Sequence, residues 1–344
     1  MKATRKKRKS TDISPEEAMK QIQQIFKKRG SRALEMARRE ILKEKIECKE
    51  AREALTYFMT EYWHDLARPT LLSLACEAVG GDPKLTTPIA VPMILISGAI
   101  DIHDDIIDES KIKNRRPTVY GKFGKDIALL VGDALLFKGL TLLNKGVQKK
   151  VSPEKMSLII DVIQKTFFEL GDAEALELQL RGRIDILPEE HLQIVQKKAA
   201  DVEAHVRIGA ILGDASKKEM QTLGKYGRLL GMMIILRDDW IDIIDLQESR
   251  NRIKKECLPI PILYALKDPK IKAKLSSILS NATITMRTVE VIRELTLKAR
   301  TIKQFRKLMY RLAEDANIKL DNLKYDTKDL RLLLQASLSS LGES

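Results

Sequence analysis

The sequence contains few aromatic residues, glycines, prolines and cysteines, and each shortage narrows the class of protein. Aromatic residues make up 5% of the 344 positions, and 17 glycines and 11 prolines leave long stretches without helix breakers. The three cysteines, Cys48, Cys76 and Cys257, are odd in number and widely spaced. This pattern argues against a disulfide framework and favours a reducing, cytoplasmic compartment.

The sequence also shows no long apolar segment and no secretory leader. One of its longest apolar runs, IAVPMILISGAI, is shorter than the roughly 20 residues that a membrane-spanning helix needs. The basic start continues into TDISPEEAMKQ rather than into an apolar stretch, so we expect no signal peptide. The sequence therefore predicts a soluble protein without a membrane span.

The net charge is +13, and six basic residues fall within the first nine positions. We interpret residues 1–12 as a basic disordered tail, with peripheral contact to an anionic membrane surface as the functional alternative. Zinc-finger spacings and basic stripes interleaved with aromatic residues are not found in the sequence. We therefore predict no nucleic-acid partner.

Helix signals dominate the remaining sequence. Ser14-Pro15 and Ser152-Pro153 each place serine at an N-cap and proline at the first helical position, and Pro188 opens a further helix. Apolar residues recur with helical spacing, and alternating strand patterns are hard to find. The sequence therefore predicts a single all-α domain of ten or more helices over residues 13–344.

The strongest functional signal is a pair of DDxxD clusters. These clusters are Asp104, Asp105 and Asp108 in DIHDDIIDES, and Asp238, Asp239 and Asp242 in ILRDDWIDIID. Residues four apart share one face of a helix, so the carboxylates of each cluster project together. Carboxylates repel one another and are costly to bury, whereas the hard cation Mg2+ prefers oxygen ligands and phosphate oxygens. We predict that all six aspartates bind metal and clamp a diphosphate through bridging Mg2+.

Basic residues flank both clusters and could neutralise phosphate oxygens. These candidates are Arg68, Lys111, Lys113, Arg115, Arg116, Lys197, Lys198, Lys254 and Lys255. A single lysine or arginine of this kind usually belongs to a solvated helix face. Their positions around two DDxxD clusters favour a role in substrate binding.

With these motifs the chain resembles the trans-isoprenyl diphosphate synthases, the polyprenyl synthetase family that includes geranylgeranyl and farnesyl diphosphate synthases. Five further segments fit the resemblance in order: RPTLLSLACEAVGG, RPTVYGKFGKDIALLVGDALL, the segment at Lys197, LGKYGRLLG and LPIPILYAL. The resemblance covers most of residues 55–270. It implies a single isoprenoid synthase-like bundle of antiparallel helices around a central cavity, usually in a homodimer.

The resemblance implies that three Mg2+ ions bridge the two clusters to an allylic diphosphate, which ionises to a carbocation that isopentenyl diphosphate attacks. Catalytic roles are implied for Asp104, Asp105, Asp108, Asp238, Asp239 and Lys197. Lys197 and Lys255 are similar to family lysines that hold the allylic diphosphate, and Lys113 falls where the family has an arginine. Ala99, five residues before the first cluster, is small where short-chain synthases carry an aromatic residue. That replacement implies a product of C20 or longer.

The pocket for the second substrate departs from the family pattern. Arg68 is kept, but Asp65, Ser97 and Asn114 stand where the family has lysine, histidine and arginine. A carboxylate in place of a cation should repel a diphosphate. Arg115 and Arg116 follow Asn114 directly and are the candidates to compensate.

Three enzymatic or near-enzymatic interpretations follow, and one structural interpretation stands beside them. The first is a prenyltransferase that elongates an allylic diphosphate with isopentenyl diphosphate in a rebuilt pocket. The second is a class I terpene cyclase or diphosphate lyase, or an enzyme that transfers the prenyl group to a different acceptor. The third is a subunit that needs a partner or binds without turnover, although such a subunit has little reason to keep six aspartates. A helical scaffold with solvent-facing acidic clusters would lack the apolar runs beside both motifs.

Overall fold

The computed structural model describes residues 14–145, 151–281 and 283–341. Sixteen α-helices and one two-stranded hairpin form most of this part of the chain. The helices are α1 (Pro15–Leu42), α2 (Lys49–Tyr57), α3 (Ala67–Glu77), α4 (Thr87–Ile107), α5 (Val119–Phe123), α6 (Lys125–Lys145), α7 (Pro153–Leu180), α8 (Pro188–Lys198), α9 (Ala200–Leu212), α10 (Lys217–Ile244), α11 (Leu246–Lys255), α12 (Ile260–Leu266), α13 (Pro269–Leu279), α14 (Met286–Lys298), α15 (Ile302–Leu320) and α16 (Lys328–Leu338). The hairpin strands are β1 (Ile112–Lys113) and β2 (Arg116–Pro117), and single 3-10 or π turns span Phe58–Tyr62, Pro83–Thr86 and Ser339–Leu341.

The helices begin where the sequence predicts. The Ser14 hydroxyl accepts a hydrogen bond from the backbone N–H of Glu17, and Ser152 caps α7 in the same way through Lys155. Helix α8 begins at Pro188. The all-α prediction is therefore confirmed. The basic tail predicted at residues 1–12 lies outside the described residues, so its disorder, its membrane contact and the division at residue 13 stay predictions.

Two apolar clusters form the core, and helices α3 and α9 contribute to both. Leu71 and Leu74 of α3 face one cluster, together with α10 and α12 to α16, whereas Leu72 faces the other, together with α2, α4 and α6. On α9, Val206 and Ile208 divide in the same way. A helix that is buried on opposite faces belongs at the centre of a bundle. Helices α3 and α9 therefore join the two halves of the protein.

Helix α4 is long and apolar enough to cross a membrane, although it packs inside the protein. The segment Pro83–Ile107 has 25 residues, a mean hydropathy of 1.7 over its most apolar window, and 72% of that window is buried. The expectation that no apolar segment reaches the length of a span is therefore wrong, because the helix extends beyond the apolar run at both ends. Burial of this extent is typical of a core helix.

The α3–α9 contact depends on a glycine. A Cβ atom at Gly209 of α9 would lie 2.3 Å from the carbonyl oxygen of Leu72 and 2.8 Å from the Cβ of Ala75. Side chains do not tolerate such distances, so any other residue at position 209 must push the two helices apart. By contrast, a Cβ atom at Gly171 of α7 would meet nothing within 4 Å.

We expect Gly209→Ala and Gly171→Ala to change stability in opposite directions. Forcing α3 from α9 should lower the free energy of unfolding by about 1–3 kcal/mol, whereas alanine in the open helical position should raise it by about 0.5–1 kcal/mol. Urea denaturation of both variants and the wild type measures the difference. Equal effects of the two substitutions would show that the close approach has no energetic consequence.

Candidate active site

The first aspartate cluster lies at the C-terminal end of α4. Asp105 is 3% exposed, and Asp108 caps the helix, its N–H bonded to the carbonyl of Asp104. The C-terminal end of a helix carries partial negative charge, so these carboxylates occupy the less favourable end. Lys113 offsets part of this charge, since its ammonium lies 3.1 Å from Asp104 Oδ2 and 2.9 Å from Asp105 Oδ1.

The second cluster lies at the C-terminal end of α10 and has its own counter-ion. The chain turns at Asp245, whose side chain accepts from the N–H groups of Gln247 and Glu248 and starts α11. Helix α11 then carries Arg252 back to the cluster, 2.7 Å from Asp239 Oδ1 and 3.3 Å from Asp242 Oδ2. Arg252 was not identified from the sequence. The feature that could have indicated it is the N-cap residue Asp245, at which the chain reverses.

Helix α11 also connects the two clusters. Its last residue, Lys255, donates to the carbonyl oxygen of Glu109 at 3.0 Å, one residue beyond the first cluster. Glu256 follows and forms an ion pair with Arg252 at 3.0 Å. The lysine predicted to hold the allylic diphosphate therefore lies between the two aspartate clusters.

The region around the two aspartate clusters, which we term the cleft, holds more negative than positive charge. Burial raises the pKa of Asp105 to about 6, in spite of the neighbouring Lys113. Burial, reinforced by Asp104 and Glu256, raises the pKa of Asp108 to about 7. In the second cluster, burial and the carboxylate of Asp239 raise the pKa of Asp238 to about 6 and that of Asp242 to about 7. In all four carboxylates, burial is the main cause that raises the pKa and disfavours the charged form.

The donor chemistry of the two clusters fits a hard divalent cation. All six side chains offer carboxylate oxygens, the ligands that Mg2+ prefers. Burial raises the pKa of Asp105, Asp108, Asp238 and Asp242 and so opposes their charged forms. A bound metal ion would favour the charged forms.

The structure directs Lys198, and not Lys197, into the cleft. Lys197 lies on the surface, 2.8 Å from Asp172, whereas Lys198 lies between the carboxylates of Glu174 and Glu177. Burial opposes the charge of Lys198, but the carboxylates of Glu177 and Asp104 raise its pKa well above the usual value. The role predicted for Lys197 stays a prediction. The structure places the neighbouring Lys198 nearer to Asp104, because consecutive helical residues point in different directions. The buried face of α8, with His191, Ile194 and Val195, continues at position 198.

Arg68 is enclosed by carboxylates. Its guanidinium lies 2.8 Å from Asp201, 3.0 Å from Asp65 and 3.2 Å from Asp101. Asp65 also accepts hydrogen bonds from the N–H groups of Ala67 and Arg68, at the start of α3. The indole of Trp63 donates to Asp101 at 2.7 Å. Arg68 therefore ties α3 to α4 and α9, and the structure does not present it as a free ligand for a diphosphate.

The three replaced family positions have separate surroundings. Ser97 is buried, with its hydroxyl 3.5 Å from Nε2 of His205, so α9 brings an imidazole beside the position where the family has histidine. Asn114 and Arg115 form the two-residue turn of the β1–β2 hairpin, with φ angles of +52° and +61°. Both are exposed, whereas Arg116 turns back and donates to the carbonyl oxygen of Glu61 at 3.1 Å. Neither Asn114 nor Arg115 forms an ion pair with the aspartate clusters among the described residues, and the role predicted for Arg115 stays a prediction.

Comparison with known proteins places these features in a family. A family profile described as polyprenyl synthetase matches residues 50–296. A short chain isoprenyl diphosphate synthase of Methanothermobacter thermautotrophicus is 32% identical over 186 residues, which are 54% of this chain and 56% of that protein. A geranylgeranyl diphosphate synthase of Methanosarcina mazei is 34% identical over 188 residues, 54% of this chain and 57% of that protein. The matched segment thus spans a little more than half of each curated relative.

Solved structures show the same fold over nearly the whole chain. A geranylgeranyl pyrophosphate synthetase from Pyrococcus horikoshii has a TM-score of 0.80 at 24% identity and covers 94% of this chain and 100% of its own. A geranylgeranyl pyrophosphate synthetase from Geoglobus acetivorans has a TM-score of 0.77 at 20% identity and covers 92% and 99%. At these identities the likeness establishes the fold, and the predicted single helical bundle is confirmed.

The adjacent lysines provide a matched test of the cleft. We expect Lys198→Gln to weaken Mg2+-dependent binding of inorganic diphosphate at least about 10-fold, because a buried ammonium beside Asp104 is lost. Lys197→Gln should change the affinity less than about 2-fold, because an exposed ion pair contributes little. Titration calorimetry measures both, with thermal unfolding to verify that each variant is folded. A larger loss in the Lys197 variant would support the role predicted for Lys197.

Proposed function

Because the chain belongs to the polyprenyl synthetase family, we propose that it is a Mg2+-dependent prenyltransferase. It joins an allylic diphosphate to isopentenyl diphosphate. The observation that carries this proposal is the pair of DDxxD clusters, each at a helix end and each with one buried aspartate, Asp105 or Asp239. A diphosphate and its metal ions complete such a site, whereas a scaffold protein gains nothing from it.

The basic residues of the cleft hold the allylic diphosphate. Lys113, Lys198 and Lys255 lie around the two clusters and bind its phosphate oxygens. The six aspartates would hold Mg2+ ions, three in our proposal, and these would supply positive charge to stabilise the departing diphosphate. The apolar length of α4 keeps water from the reacting carbon.

The reaction exchanges one bond for another. The allylic C–O bond breaks, and diphosphate leaves with the electron pair. The double bond of isopentenyl diphosphate attacks the allylic cation to form the new C–C bond. A proton is then lost, with the released diphosphate as its acceptor. The prenyl chain grows by five carbons in each cycle.

A homodimer agrees with the apolar residues that the surface leaves uncovered. Leu130 and Phe137 of α6 are 60% and 68% exposed, and Phe168 of α7 is 75% exposed. Large apolar side chains concentrated on two helices are typical of an interface. We propose that α6 and α7 pack against a second copy of the chain.

One observation bears on the alternative function, which the relatives, named as isoprenyl and geranylgeranyl diphosphate synthases, do not favour. The ring of Asp65, Asp101 and Asp201 around Arg68 is unfavourable for a second diphosphate at that position. The second candidate is therefore transfer of the allylic group to an acceptor without phosphate, or to water or the substrate's own distal alkene.

A product assay tests the proposed function and separates it from the second candidate. Purified protein is incubated with Mg2+ and geranyl, farnesyl or geranylgeranyl diphosphate, each with and without isopentenyl diphosphate. We expect longer diphosphates only when isopentenyl diphosphate is present, and none after EDTA treatment. Release of diphosphate or a hydrocarbon without isopentenyl diphosphate would instead support the second candidate.

Ala99 is the proposed determinant of product length. It is 1% exposed on α4, five residues before Asp104, in the direction away from the clusters. A small side chain there leaves room for a chain of C20 or longer. We expect Ala99→Phe to shorten the main product by at least one five-carbon unit, as measured by chromatography of the dephosphorylated products. Partial unfolding would lower the yield without changing the length, so an unchanged length distribution would refute this assignment.

A further inference from the structure

The residue that the resemblance assigns to the second diphosphate is already fully engaged. Each nitrogen of the Arg68 guanidinium lies within 3.2 Å of a carboxylate oxygen, from Asp65, Asp101 or Asp201. One positive charge among three negative ones gives this part of the cleft a net negative charge. A diphosphate at Arg68 would meet three carboxylates. The positive charge for a second diphosphate must therefore come from elsewhere.

Two guanidinium groups close to this region have no carboxylate partner among the described residues. Arg38 of α1 donates through Nε to the carbonyl of Met59 at 2.6 Å and through an Nη atom to Nδ1 of His64 at 2.8 Å. Arg116 of β2 donates to the carbonyl of Glu61 at 3.1 Å. Backbone carbonyls orient these two guanidinium groups without neutralising their charge.

A π turn brings the two arginines to one place. The turn Phe58–Tyr62 presents the carbonyls of Met59 and Glu61, and Nε2 of His64 lies 3.2 Å from the same Glu61 oxygen that Arg116 contacts. Because Nδ1 of His64 accepts from Arg38, Nε2 carries the proton and donates. Irregular π turns of this kind are frequent at functional sites. Arg38, His64 and Arg116, which we term the carbonyl-held patch, therefore form one continuous set of donors.

The carbonyl-held patch adjoins the first aspartate cluster along two routes. Arg116 pairs directly with Lys113 across the hairpin, and Lys113 contacts Asp104 and Asp105. Opposed residues of an antiparallel pair point to the same side. The second route is Trp63, which donates to Asp101 one helical turn before the cluster and directly precedes His64. A ligand on this patch would lie next to the ionising site.

The carbonyl-held patch is accessible to a ligand. Arg38 and His64 line a groove of about 730 Å³ between α1 and the segment at Leu66, which Lys27, Glu35 and Asp65 also line. His64 and Arg116 are exposed. The carboxylate of Glu61 is also exposed and forms no ion pair among the described residues.

We propose that the diphosphate of the acceptor substrate binds to Arg38, His64 and Arg116, and that Arg68 serves to position α3, α4 and α9. This inference rests on the proposed function, since it names where isopentenyl diphosphate is held. The two guanidinium groups supply charge and forked donors suited to phosphate oxygens. His64 supplies an N–H donor between them.

Kinetics and binding of three variants test the patch. We expect Arg38→Gln and Arg116→Gln each to raise the KM for isopentenyl diphosphate at least about 10-fold and to leave the KM for the allylic diphosphate within about 2-fold. Arg39→Gln is the matched control, because the adjacent Arg39 is exposed and pairs with Glu35 on α1. Calorimetry with isopentenyl diphosphate alone, which does not react without an allylic partner, should show the same weakening.

The outcomes separate this inference from the proposed function. An active wild type whose KM for isopentenyl diphosphate is unchanged in both arginine variants would overturn the patch and leave the prenyltransferase intact. Wild-type protein that binds isopentenyl diphosphate through the patch but forms no longer product would overturn the proposed function and support the binding site. Equal losses for both substrates, with the Arg39 variant affected as well, would mark a structural effect and also overturn the patch.

Discussion

The structure depends on offsetting the negative charge of six aspartate carboxylates, which lie at the C-terminal ends of two helices. Both DDxxD clusters occupy helix C-termini, where the peptide dipoles already contribute negative charge. A hairpin places Lys113 beside the first cluster, and a reversal of the chain at Asp245 returns Arg252 to the second. These two cations fall short, since burial still raises the pKa of Asp108 and of Asp242 to about 7. The cleft therefore keeps a net negative charge in the folded protein.

The contact between α3 and α9 that organises the core also positions Arg68 and its carboxylate partners. Gly209 lets α9 approach the backbone of α3 at Leu72. One end of this helix pair is joined by Arg68 and Asp201, at 2.8 Å. A buried ion pair of this kind requires close and rigid partners, because its attraction must exceed the cost of removing both charges from water. The tight packing of α3 on α9 provides that rigidity.

Much of the molecule could be predicted from local patterns. Serine–proline starts identified α1 and α7, and the i, i+4 spacing identified the carboxylates that share a face. The same periodicity, applied to the buried residues of α8, would have indicated Lys198 as a further candidate. Long-range contacts could not be predicted in this way. Asp201 is 133 positions from Arg68, and no pattern in its own segment indicates the contact. The hairpin was missed because Asn114 and Arg115 adopt positive φ angles without a glycine to mark the turn.

Magnitudes decide whether Arg68 can serve two roles. Removing one partner from a buried ion pair typically costs about 3–5 kcal/mol, because the remaining charge is left without compensation. A charge-assisted hydrogen bond to a new ligand returns about 1.5–3 kcal/mol. Since releasing Arg68 would leave carboxylates uncompensated on α3, α4 and α9, turning it toward a diphosphate loses more than it gains. Arg38 and Arg116 give up only a contact with a carbonyl or an imidazole, so the same diphosphate binds them at a much smaller cost. Positive charge held by neutral groups is therefore the charge that this cleft can offer to a second substrate.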